Sequence, residues 1–144
     1  MAGGQPLDVR DDVFVGMLRE LAREAALSTD DREVAAFIIR DGDGALTCHM
    51  WPQSAGFRSH HFDGAIPPGT VAIAHSHPFQ MPAPSNADAL QAMRIGLPIY
   101  AVSRWELHVA TPSGERLMLL TGRSWTGRAE RRECTKQVTS RRTD

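Results

Sequence analysis

Apolar residues recur through residues 11–27 at the spacing of one helix face, with Phe14, Met17, Leu18, Leu21 and Ala25 on a single stripe. Asp11 and Asp12 suit the start of that helix, where backbone N–H groups lack partners. Ser28-Thr29-Asp30-Asp31 breaks it. Val34–Ile39 is apolar without alternation, as expected for a strand covered on both sides. Asp41-Gly42-Asp43-Gly44 then reads as a hairpin-type turn into a second strand near 45–51. A weaker extended stretch at 57–62 precedes the Pro67-Pro68-Gly69 turn and an apolar strand at 70–74. Residues 86–95 carry a helix pattern closed by Gly96, with Pro98 just beyond. Three more strands follow: 98–103, a stretch in which Trp105, Leu107 and Val109 alternate with Glu106, His108 and Ala110, and 115–120 after the Pro112-Ser113-Gly114 turn.

One helix, three or four strands, a second helix and three strands make an α+β, sandwich-like domain. No internal repeat or second domain is visible. The organisation expected is a domain over residues 1–121 with a tail at 122–144.

The chain has 144 residues, 42% hydrophobic and 23% charged, which suits a globular domain with its own core. No apolar run approaches the roughly 20 residues that span a bilayer, and the first residues lack the basic flank and apolar stretch of a secretory signal. A cytoplasmic protein is therefore expected. Cys48 and Cys134 show neither metal-type pairing nor a disulfide framework and read as two free thiols. Net charge is −1, so the chain as a whole favours no particular partner. The tail is uneven: residues 122–144 hold seven basic residues against Glu130, Glu133 and Asp144, a net of +4, which leaves −5 elsewhere. A solvated extension is the plain reading, and an arm for an acidic partner or nucleic acid the alternative.

The chemistry concentrates in His75-Ser76-His77, followed after seven residues by Ser85 and then Asp88. Side chains alternate along a strand, so His75 and His77 leave the same side of one strand end. Two imidazoles and a carboxylate from the next element can supply the three protein ligands of a catalytic zinc site, with the fourth position open. Ser85 and Asp88 also fit a helix capping box, in which the serine accepts from the third backbone N–H. The two roles are compatible.

This H-x-H-x7-S-x2-D pattern resembles the motif of the JAMM (MPN+) metalloproteases, over about residues 10–120. The resemblance implies a curved mixed β-sheet flanked by helices, as in the MPN/JAB and cytidine-deaminase-like sandwich, and a Zn2+ cofactor held by His75, His77 and Asp88. It implies that Ser85 donates to the scissile carbonyl oxygen. It also implies a catalytic glutamate at the entry of the first strand, where Glu33 stands immediately before Val34. Glu20 and Glu24 compete for that role but fall within the first helix. The implied activity is a zinc-dependent peptidase or isopeptidase acting on a protein or peptide substrate. Only about seven residues, 63–69, join the 57–62 segment to the motif strand. So short a connection favours a minimal prokaryotic-type enzyme, acting on a ubiquitin-like or sulfur-carrier C-terminus, over one specific for polyubiquitin chains.

Two other readings stand beside it: a catalytically silent MPN-like module that binds a partner protein, and a nucleic-acid-binding relative that uses the basic tail. The last is disfavoured, because Trp51, Trp105 and Trp125 are scattered without interleaved basic residues and read as packing residues. His49, His60, His61 and His108 lack comparable partners in sequence. His108 is expected as a solvated strand histidine, and His60-His61 as a loop that could line a substrate groove.

Overall fold

The computed structural model describes residues 7–27, 34–51, 65–77, 83–122 and Trp125. Its elements run α1 (Asp12–Leu27), β1 (Ala35–Arg40), β2 (Leu46–Met50), β3 (Thr70–Ser76), α2 (Asn86–Ile95), β4 (Ile99–Val102), β5 (Glu106–Ala110) and β6 (Arg116–Thr121). Each matches an element expected from the hydrophobic pattern. The stretch at 57–62 lies outside the described residues, as do His60 and His61.

The architecture is α+β: among the described residues, one six-stranded sheet in the order β2-β1-β3-β4-β5-β6, with two helices. All neighbouring strands are antiparallel except β3 and β4, which run parallel. Parallel neighbours cannot be joined by a tight turn, and here α2 is the crossover between them. That connection puts the end of β3 and the start of α2 side by side. In open sheets the carboxyl ends of parallel strands are where ligands bind.

The alternation of β3 divides the core. Ala72 and Ala74 face α1 and are fully buried with Phe14, Leu18 and Leu21, so small side chains on the central strand let the helix approach closely. Ile73 faces the other way and packs with Phe37, Ile99, Ala110 and Ala92 of α2. Asp11 caps α1, its Oδ1 accepting from the backbone N–H of Val13 at 2.9 Å and of Phe14 at 3.3 Å. Entry into β3 depends on Gly69: its φ is +86°, and a Cβ there would lie 2.9 Å from the Arg40 carbonyl oxygen. Gly96, at φ 74°, closes α2 in the left-handed conformation.

Trp125 belongs to this core as a packing residue. Its ring is 1% exposed, its Nε1–H donates to the Ser103 carbonyl at 2.7 Å, and the Arg19 guanidinium stacks 5.6 Å from its centre and donates to its carbonyl. No helix is long and apolar enough to cross a membrane among the described residues.

Cys48 corrects one expectation. It is buried against the α1 side of β2 and is disulfide-bonded, where a free thiol was expected. The other cysteine of the chain, Cys134, lies outside the described residues. Long separations between cysteines leave no spacing signal, so sequence could not supply this pairing. Unreduced, denatured protein should take up no alkylating agent, and reduction should expose two reactive thiols by mass; alkylation of Cys48 before reduction would contradict the pairing.

Candidate metal centre

His75 and His77 leave the same face of β3, at its carboxyl end. Neighbouring strands hold both backbones: His75 is registered between Ala35 of β1 and Ala101 of β4, and the His77 N–H donates to the Val102 carbonyl at 2.8 Å. The two rings lie 4.6 Å apart, tilted by 50°. Asp88 reaches them from the first turn of α2, Oδ1 standing 3.0 Å from His75 Nε2 and Oδ2 3.2 Å from His77 Nε2. The His75 side chain is 3% exposed, and those of His77 and Asp88 are 8% and 9% exposed.

The capping box is formed as well. Ser85 is the N-cap of α2; its Oγ accepts from the Asp88 N–H at 3.1 Å, and its own N–H donates to Asp88 Oδ2 at 2.9 Å. Asp88 therefore fixes the helix start and faces the two imidazoles at once. Capping occupies one lone pair of the Ser85 hydroxyl and leaves its O–H free to donate. Ser85 is exposed, so its hydroxyl lies at the solvent side of the buried cluster's capping residue Asp88.

Burial pushes the Asp88 carboxyl upward. Hydrogen bonds from His75 and then His77, the charge of His75 and the Ser85 N–H outweigh it and hold the group well below the usual carboxylate range. The donor set suits a metal: two imidazole nitrogens and a carboxylate oxygen, all within 4.8 Å of one another. Bonds of about 2.0–2.1 Å in a tetrahedral site place ligand atoms about 3.3 Å apart, close to the His–Asp separations here. His75, His77 and Asp88 thus form a buried His-His-Asp group able to hold a metal ion.

Asp88→Asn separates the two roles. Asparagine still accepts at a helix start, so α2 should persist, while metal affinity should fall by roughly a hundredfold or more, since losing only an outer-shell partner costs 10–100-fold. The metal-free proteins should differ in their acid behaviour. A carboxyl depressed in the fold contributes stability above its unfolded value, here 3.8, and loses it as pH falls further. The wild type should therefore converge on Asp88→Asn in acid, as read by thermal melting across pH.

Of the expected site residues, His75, His77, Asp88 and Ser85 come together. Glu33 lies outside the described residues. The next residue, Val34, is fixed at two points: its N–H donates to Ser76 Oγ at 3.0 Å, and its carbonyl accepts from the Ser76 N–H at 2.8 Å. His49 bonds Thr47 Oγ1 at 3.2 Å, away from the cluster on β2.

His108 departs from expectation. It is 8% exposed, not solvated, and its Nε2 lies 2.6 Å from Glu106 Oε1. Alternation does place Glu106 and His108 on one face, but that is the face carrying His75, flanked by the layer that α2 builds with Ile99 and Ala110. An acidic residue and a histidine two apart on one strand were the available signal, with the same spacing as His75 and His77.

Comparison with protein-family models, with curated proteins and with solved structures finds no match to this chain.

Proposed function

We propose that the protein is a zinc-dependent peptidase or isopeptidase of the JAMM type, minimal in size, acting on a ubiquitin-like or sulfur-carrier C-terminus. The observation that carries this reading is the convergence of His75 Nε2, His77 Nε2 and the Asp88 carboxylate in one buried cluster beside an exposed serine hydroxyl. Three nitrogen and oxygen ligands with an open fourth position are the pattern of catalytic rather than structural zinc. The mixed sheet with a helix-borne carboxylate over the end of a central strand agrees with the fold that the motif implies.

Zinc, when bound, supplies Lewis acidity, lowering the pKa of a water and polarising a carbonyl. The protein side of the reaction falls to two groups. Glu33 takes the proton from the attacking water and returns it to the leaving nitrogen. Support for its reach comes from Val34, held by Ser76 between the two histidines and one peptide unit from Glu33. The Ser85 O–H, unused by the cap, donates to the oxygen that gains charge as water adds. In the metal-free arrangement the Asp88 carboxyl is already held well below the usual carboxylate range, so it presents the ionised form that a metal ligand needs.

Incubating zinc-loaded protein with ubiquitin-like C-terminal fusions, both linear and isopeptide-linked, tests the activity directly. Cleavage at the fusion junction that a chelator abolishes and zinc restores is the expected result. Stoichiometric zinc without cleavage of any fusion would reject the hydrolase and leave a metal-holding binding module.

A further inference from the structure

The face of the sheet that carries the metal ligands continues beyond them onto β5. His75 is registered with Ala101 of β4, and Ala101 with His108 of β5, so these three side chains form one row across three strands. The adjacent row begins at His77, whose N–H donates to the Val102 carbonyl, passes Ser103 and reaches Glu106. Each metal-facing histidine therefore has a polar residue two strands away on its own row. Among the described residues of these two rows, the small side chains of Ala101 and Ser103 intervene. Two strand spacings of about 4.8 Å set these pairs roughly 10 Å apart at the backbone.

Glu106 is built to be held still. Its N–H donates to Ser103 Oγ at 3.2 Å, its carbonyl accepts from the same hydroxyl at 3.2 Å, and His108 Nε2 engages Oε1 at 2.6 Å. The other carboxylate oxygen has no partner among the described residues, and the side chain is 30% exposed. That second oxygen is an acceptor open to a cationic N–H donor, and it gives a carboxylate no anchor. The neighbouring cations are directed elsewhere. Arg104 stacks on Trp105 at 5.3 Å, and Arg116 donates to the Pro84 carbonyl at 3.4 Å.

We propose that Glu106 is a subsite for a cationic nitrogen of the substrate, an arginine or lysine side chain within a residue or two of the bond at the metal centre, with His108 as its positioning residue. This deepens the hydrolase reading and rests on it. The separation fits, because an extended peptide advances about 3.3–3.6 Å per residue and a basic side chain spans the remainder.

The test titrates Nα-acetyl-arginine amide and its neutral isostere, Nα-acetyl-citrulline amide, into the zinc-loaded full chain, read at the Leu107 backbone amide resonance. The arginine compound should bind saturably, and roughly tenfold or more tightly than the citrulline one, as expected for a charge-assisted hydrogen bond. Glu106→Gln should erase the difference while keeping zinc; His108→Ala should weaken it, and His108→Gln, which retains an N–H donor, should restore it. Equal binding of the two compounds by the wild type, no response to either, or discrimination that survives Glu106→Gln would each overturn the proposal. The first two need no variant and so are independent of folding. Arginine preference without cleavage of any fusion would reject the hydrolase and leave the subsite standing. Cleavage without arginine preference would do the reverse.

Discussion

A His75→Ala/His77→Ala double variant should hold no zinc after dialysis against a mild chelator, where the wild type keeps close to one equivalent by elemental analysis. The expectation follows from ligand count: only Asp88 remains of the three donors that converge in the fold, and a lone carboxylate competes poorly with a chelator. His77→Ala alone leaves a two-ligand remnant, and its affinity should fall by orders of magnitude. His75 is the more buried of the two, closed in by β1 and β4, so its removal also opens a cavity. Melting of metal-free wild type and variant separates that packing loss from the metal loss. In wild type, zinc should raise the melting temperature with concentration, because it binds the folded state alone; in the double variant it should not. Full zinc occupancy in the double variant would place the metal elsewhere and remove the basis of the hydrolase reading.

The strands and helices were legible because their signals are local. The α1 stripe, the capping residues Ser85 and Asp88, and the Gly69 and Gly96 turns each declare themselves within a few positions. His75 and His77 were legible for the same reason, since a spacing of two on a strand fixes a shared face whatever surrounds it. What could not be read is what depends on strand order. Nothing near His108 says that β5 lies two strands from β3, on the same face and in the same row, or that the sheet with its α2 layer buries it. Alternation was correctly taken to separate Glu106 and His108 from Leu107 and Val109. Assigning their side to solvent was the error, because both sides of β5 are covered. The disulfide at Cys48 is non-local in the same sense. The role of Ser76 was hidden too: a serine between two histidines carries no sign that it will bind the N–H of Val34, 42 residues earlier in the chain.

Glu33→Gln should leave the zinc content and the melting temperature near wild type, while turnover of a ubiquitin-like fusion falls by roughly 10²–10⁴-fold, the range for a lost general base. Glutamine keeps the shape and the hydrogen-bonding capacity of the side chain but cannot take up a proton, so the change acts on the chemical step and not on the metal shell. The effect should appear in kcat, with KM little altered, because the proton moves only as the transition state forms. Glu20→Gln provides the control. Glu20 sits on α1, where it pairs with Arg23 at 3.7 Å, and α1 packs on the opposite face of the sheet from His75 and Asp88. Its replacement should therefore leave turnover unchanged. Ser85→Ala adds a second, independent loss: the O–H donor disappears together with the cap acceptor, so kcat should fall with a modest loss of stability, about 1 kcal/mol. Near-full activity in Glu33→Gln would show that the base is another carboxylate. Loss of zinc in the same variant would show that Glu33 is a ligand, and that the leaving nitrogen takes its proton from a different group.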